Sequence, residues 1–156
     1  VTPACPHLPI GAGPANRNRM QAEDRMRDPF ELGGQTVAPG TRKTIDLPVS
    51  VLSDHTPVTL SAHVIHGRRP GPVMFVSAAI HGDEVVGVEI VRRLLRATPL
   101  QRLSGTLIAV PIVNAFGFLN QSRYLPDRRD LNRCFPGYDT GSLAARLADL
   151  FMEQEW

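Results

Sequence analysis

The residues with the clearest capacity for chemistry are His81 and Glu84, three positions apart in the stretch HGDE. An imidazole and a carboxylate at that spacing can turn toward one point where the chain bends, which makes them candidate ligands of a metal ion. A second group lies between Asn114 and Thr140, in NAFGFLNQSRYLPDRRDLNRCFPGYDT. It carries Arg123, Arg128, Arg129 and Arg133 beside Asn114, Asn132, Asp127 and Asp130. Guanidinium groups match carboxylates in bidentate fashion, so this loop reads either as an anion-binding wall or as a solvated loop with internal Asp–Arg pairs. A stretch this long without periodicity is either disordered or functional, and Phe116, Phe118, Leu125, Leu131 and Phe135 give it material to pack.

Such groups need elements to position them. Val73 to Ile80 is an apolar run without alternation, which predicts a strand covered on both faces. Val85, Val88, Val91 and Leu95 recur at helical spacing, and Thr98-Pro99 stops the helix they predict. His81 and Glu84 thus sit where a strand end enters a helix, the place where open α/β sheets put their ligand sites. Arg92, Arg93 and Arg96 fall in the last turns of that helix, where cations suit its negative end. A second apolar run, Thr106 to Val113, completes a strand–helix–strand unit and predicts a parallel crossover.

Ahead of this unit, Ile45, Leu47, Val49 and Val51 alternate with polar residues, and Val58, Leu60, Ala62 and Val64 do so after SDHTP. This predicts an antiparallel hairpin at a sheet edge, with His55, His63 and His66 facing solvent. Ser142 is a natural N-cap for a last helix with Leu143, Leu147, Leu150 and Phe151 as its apolar stripe. The expected fold class is α/β: a mixed, mainly parallel sheet with flanking helices and an antiparallel edge hairpin.

With 156 residues, 42% of them hydrophobic, the chain can bury the core of one domain. Residues 1–34 are rich in proline and glycine and read as a flexible leader, in which Cys5 and His7 are solvated; 35–156 read as the domain. A net charge of +2, with no basic run interleaved with aromatics, argues against a nucleic-acid partner. Membrane insertion is not expected, because no apolar stretch approaches the ~20 residues of a span. The start of the chain does not have the pattern of a secretory signal. Cys5 and Cys134 lie far apart in no metal or redox spacing, which suits a reducing, cytoplasmic setting.

Together HGDE at 81–84, VPIVNAFGF at 110–118 and SRYLPDRRDLNRCFPG at 122–137 resemble the succinylglutamate desuccinylase/aspartoacylase family, over roughly Lys43 to the C-terminus. This is the deacylase branch of the zinc carboxypeptidase-like fold. The resemblance implies zinc-dependent hydrolysis of an amide in an N-acyl amino acid or related compound, a small substrate bearing a carboxylate. Carried over by position, His81 and Glu84 match two zinc ligands. Arg123 matches the arginine that polarises the scissile carbonyl, and Asn132 and Arg133 match the pair that holds a substrate carboxylate. Asp83 reads as a charge at the helix start, and Asp127 and Asp130 as residues that orient the arginines.

The chain departs from the family pattern in one place. The third zinc ligand there is a downstream histidine, and the general base is a glutamate further on; here no histidine follows His81. The expectation is therefore an amino-terminal fragment that binds zinc weakly, is inactive alone and leaves an apolar edge exposed. Two other readings stand beside the deacylase: a metallocarboxypeptidase-type peptidase of the same fold, and a non-catalytic metal- or ligand-binding module.

Overall fold

The computed structural model describes residues 27–154. Cys5, His7 and most of the stretch read as a leader lie outside the described residues. The described chain opens with a small hairpin, β1 (Phe30–Leu32) and β2 (Gln35–Val37), turned by Gly33 and Gly34 at φ of +53° and +69°. A two-residue turn with both φ positive matches the twist of its flanking strands, and glycine adopts it without a Cβ clash. Leu32 and Val37 from this hairpin are buried in the main core.

The central sheet has the order β3-β4-β6-β5. β3 (Thr41–Val51) and β4 (Pro57–His66) form the expected hairpin, with Ile45 opposite Ala62 and Leu47 opposite Leu60. Their apolar positions face the core, whereas Val51 runs past it and is exposed. Polar pairs occupy the alternate positions: Ser61 Oγ donates to Asp46 Oδ1 at 2.6 Å, and Thr44 Oγ1 meets His63 Nδ1 at 2.9 Å. β6 (Ser104–Val110) is buried along nearly all its length and pairs antiparallel with β4. β5 (Arg69–Ser77) runs parallel to β6, joined through helix α1 (Val85–Leu94) and a short 3-10 helix at Thr98–Arg102. Parallel pairing is confined, among the described strands, to β5–β6, because the sequence supplies a single strand–helix–strand unit.

Two expectations are corrected here. β5 is an edge strand rather than one covered on both faces: Val73 and Met74 are 46% and 61% exposed. No described strand pairs with its outer side, and α1 buries only Val91, leaving Val85, Val86 and Ile90 open. His66 is not solvent-facing but 2% exposed, since it ends β4 beside the central strand. Its Nδ1 lies 2.9 Å from Thr106 Oγ1 and its Nε2 3.0 Å from the Asp28 carbonyl oxygen. That carbonyl can only accept, so Nε2 donates to it.

One face of the sheet is closed by the last helix. Ser142 Oγ accepts from the Ala145 N–H at 3.2 Å, the expected N-cap, and α3 (Leu143–Glu153) begins there; the shorter α2 is Ala115–Leu119. Ala144, Leu147, Ala148 and Phe151 are buried in the cluster that contains Ile45, Leu60, Val64 and Ile108. Burying a side chain such as Leu147 contributes about 1.5–3 kcal/mol. Phe151 meets Phe75 and Phe135 edge-on, with ring centroids 5.5 and 5.7 Å apart. These contacts seat α3 against β5 and against the loop that carries Arg123 and Asp130.

Candidate active site

At the end of β5 the chain leaves the sheet but remains tied to the strand beside it. Ala78 N–H donates to the Val110 carbonyl at 3.0 Å, while Val113 and Asn114 N–H donate to the Ala78 and Ala79 carbonyls at 3.0 and 2.9 Å. Ala79, buried, has φ of +49°, a left-handed conformation uncommon for a residue with a Cβ. Gly82 follows in direct backbone contact with α2, where a Cβ would fall 1.9 Å from the Gly117 carbonyl carbon. This tight turn leaves His81 only 6% exposed, with its ring held between two loops.

Both ring nitrogens of His81 face carboxylates. Nδ1 lies 2.8 Å from Glu84 Oε1, and Nε2 lies 2.9 Å from Asp130 Oδ1. Asp130 Oδ2 in turn accepts from Arg123 Nη2 at 3.1 Å and Nε at 3.3 Å, and Oδ1 also accepts the Asn132 N–H at 3.1 Å. One carboxylate, its side chain 14% exposed, thus joins His81 to Arg123. Burial pushes the His81 imidazole down, but the Glu84 and Asp130 carboxylates outweigh it and the net shift is upward. For Asp130 burial pushes upward, and the bonds from His81, Arg123 and the Asn132 N–H prevail, holding its carboxyl below the ordinary value. The site is therefore an imidazole between two carboxylates, with Asp130 also holding the Arg123 guanidinium.

The structure brings His81, Glu84 and Arg123 together as the sequence suggested. Asn132 and Arg133 stand immediately beyond Asp130 in a 3-10 turn, Leu131–Arg133, with exposed side chains, and Arg133 forms no ion pair among the described residues. Asn114 does not belong to an anion-binding wall: it is fully buried, and its Oδ1 accepts the Gly117 N–H at 2.8 Å to cap α2. Asp127 does not primarily orient an arginine either. It accepts from the Arg129 and Ala144 N–H groups at 3.2 and 3.3 Å, and the Arg129 guanidinium is 4.0 Å away. Asp83 is exposed and outside the cluster. Asp130 does orient Arg123 as expected, but its bond to His81, 49 residues away, has no signature in local spacing.

The donor set fits a divalent cation in chemistry and direction. An imidazole nitrogen and a carboxylate oxygen converge from one turn, and the far ring nitrogen is fixed by a carboxylate, as in carboxylate–histidine–metal arrangements. Among the described residues, no group of three or more His, Cys, Asp or Glu side chains forms a complete metal cage. Among the described residues His81 and Glu84 are two candidate ligands, where a catalytic zinc site normally takes three from protein.

The strand order, the helix after β5 and the site at its carboxyl end define the zinc-carboxypeptidase-like fold. An aspartoacylase family protein from Mesorhizobium loti superposes with a TM-score of 0.66 at 30% identity, covering 81% of this chain and 40% of the other. The ectoine utilization protein EutE (DoeB) from Ruegeria pomeroyi, solved with product bound, superposes with a TM-score of 0.62 at 32% identity, covering 72% and 35%.

Residues 70–155 match the succinylglutamate desuccinylase/aspartoacylase catalytic domain, and the chain belongs to that family. It is also 33% identical over 85 residues to the N-alpha-acetyl-L-2,4-diaminobutyric acid deacetylase of Halomonas elongata, over 54% of this chain and 25% of that protein. The chain therefore spans about a quarter of the length of this curated relative.

Proposed function

We propose that this chain provides the metal-holding and carbonyl-polarising part of a zinc-dependent hydrolase that cleaves the amide bond of small N-acyl amino acids or related compounds. The observation that carries this reading is the convergence of His81 Nδ1 and Glu84 Oε1, with Asp130 fixing the opposite ring nitrogen. The similarity to a deacetylase of an acetylated diamino acid supports a small acylated amino acid as the substrate class. Bound at His81 and Glu84, zinc supplies Lewis acidity toward the carbonyl and lowers the pKa of a coordinated water to about 7.

The chain's own residues set the rest of the geometry. Asp130 keeps the proton on His81 Nε2, so that Nδ1 is the nitrogen presented toward Glu84. The same carboxylate engages Arg123 through Nε and Nη2, which leaves Nη1 to donate to a substrate carbonyl oxygen. A fixed cation at a developing oxyanion lowers a barrier by roughly 3 kcal/mol. Asn132 and Arg133, exposed and just beyond Asp130, receive the substrate carboxylate in this reading; an exposed guanidinium fork suits that task. Cys134 is a free thiol, which supports a reducing, cytoplasmic setting, and no helix among the described residues is long and apolar enough to cross a membrane.

The third metal ligand and the general base must come from outside the cluster described here, so the chain alone should bind zinc weakly and not turn over substrate. Calorimetric titration of zinc into the chain and into His81→Ala tests the site: the parent should bind and the variant lose at least tenfold in affinity. Equal affinity removes His81 as a ligand. An assay with N-acetyl-diaminobutyrate completes the test, and zinc-dependent turnover by the chain alone would overturn its incompleteness.

A further inference from the structure

The opposite end of the β5–β6 pair holds a second concentration of functional groups. There, roughly 25 Å along β5 from its carboxyl end at ~3.3 Å per residue, a cleft of about 440 Å³ opens beside the start of the strand. Arg42, Arg68, Arg69 and Arg102 line it and, among the described residues, no acidic residue does. None of the four forms an ion pair among the described residues, whereas Arg92 and Arg93 on α1 share Glu89, and Arg123 is held by Asp130.

The backbone beneath these arginines is built for close approach. Gly67 N–H donates to the Gly105 carbonyl at 2.8 Å, and a Cβ on Gly67 would fall 2.2 Å from the Leu103 carbonyl oxygen. Gly71 would meet Ser104 and Gly105 in the same way, at 2.7 to 2.8 Å. This glycine-paved crossing brings Arg68-Arg69 to the segment that carries Arg102, with Arg69 directly opposite Ser104 in the sheet register. Two of the four side chains are also held in place. Arg42 Nη1 donates to the Leu95 carbonyl at 2.9 Å, and the Arg68 stem lies across Gly40, whose φ of +76° and missing Cβ make room for it. Four cations gathered around one concavity without a counter-charge repel one another, and an anion in the cleft relieves that repulsion.

We propose that this cleft is a binding site for a small anion carrying a diphosphate group. A single carboxylate is satisfied by one guanidinium fork. A diphosphate presents many acceptor oxygens in several directions, and these suit four arginines that line one cleft from three separate segments. The volume falls within the usual range of small-molecule sites, about 300–1,000 Å³. Free diphosphate and the diphosphate of a nucleotide share this chemistry. The site is independent of the hydrolytic reading, since no residue in it contributes to the His81 cluster.

Titration calorimetry of the purified chain with pyrophosphate and, separately, with ADP tests the proposal. One equivalent should bind, more weakly as salt is raised. Affinity should fall at least tenfold in the double variant Arg68→Gln/Arg102→Gln and stay unchanged in Arg146→Gln, an exposed position on α3. Equal binding of both ligands assigns the diphosphate itself, and tighter binding of ADP assigns a nucleotide; adenosine should not bind. Pyrophosphate should also raise the melting temperature of the parent and of Arg146→Gln but not that of the double variant, a readout that also reports folding. No binding at low salt, unchanged affinity in the double variant, or loss in Arg146→Gln would each overturn the proposal.

Discussion

The two ends of the β5–β6 pair handle arginine in opposite ways. At the carboxyl end, Arg123 is held by Asp130, which also holds His81; His81 and Asp130 are sheltered, and the Arg123 side chain is 42% exposed. At the amino end, Arg42, Arg68, Arg69 and Arg102 surround a cleft with no carboxylate among its lining residues. A cation paired within the fold is fixed in direction and available to act on a neutral, polarisable group such as a carbonyl. Cations left unpaired around a concavity instead define an electrostatic vacancy that an external anion can fill. The two ends share one device, a glycine pressed onto backbone from the neighbouring segment: Gly82 on Gly117 at one, Gly67 on Leu103 at the other.

That shared device gives the largest expected effect. An ideal Cβ on Gly82 or on Gly67 would sit 1.9 or 2.2 Å from backbone atoms, so neither neighbour can yield by rotating a side chain. Gly82→Ala and Gly67→Ala should each destabilise the chain by about 3 kcal/mol, the upper part of the overpacking range. Chemical denaturation measures this, with Gly87→Ala as the contrast. There the nearest atom is the Ala78 Cβ at 3.1 Å, and the helix propensity gained by replacing glycine is about 1 kcal/mol. If Gly82→Ala proves as mild as Gly87→Ala, the hinge is not pinned in the way its geometry indicates.

Next in size is the effect of separating the two functions of Asp130. Asp130→Asn removes the charge that holds both His81 and Arg123, and zinc affinity should drop about 10–100-fold, as for other outer partners of a metal-bound histidine. The same substitution should leave pyrophosphate binding at the arginine cleft untouched. A matched loss of both would mean that the two ends are coupled rather than independent.

The smallest effect is a pH dependence specific to the His81 end. The folded His81 value lies above the ordinary 6.5, so its contribution is fully present below about 6.5 and is lost as pH rises through the raised value. Asp130 lies below the ordinary 3.8, so its contribution is present above about 3.8 and is lost as pH falls through the lowered value. Their joint contribution is therefore greatest between about pH 4 and 6.5. The melting-temperature difference between the metal-free parent and His81→Asn should be largest there and shrink on both sides. A flat difference across that window would separate the ring from its two carboxylates.

Much of this was legible in the sequence, for reasons that can be named. The alternation of Ile45 with Leu47 and of Leu60 with Ala62 fixed a hairpin that buries one face, and Ser142 announced the start of α3. HGDE placed a histidine and a carboxylate at a strand-to-helix hinge, where three residues of separation suffice to bring them into contact. The bond from His81 to Asp130 depends on tertiary folding, and local spacing carries no record of it. The burial of His66 escaped for a related reason: it follows from pairing with β6, not from its place in the β4 alternation. β5 was misjudged because an unbroken apolar run records what a strand can bury, not what actually covers it.

The two oxygens of Asp130 have one further consequence, in evolutionary terms. Because Oδ1 touches His81 and Oδ2 touches Arg123, the ligand and the cation cannot drift independently. Any change in the backbone at 130 moves both at once. Under the proposed function, a substitution that alters specificity is therefore tolerated less well at Asp130 than at Asn132 or Arg133. Their exposed side chains can change without disturbing the pair they follow.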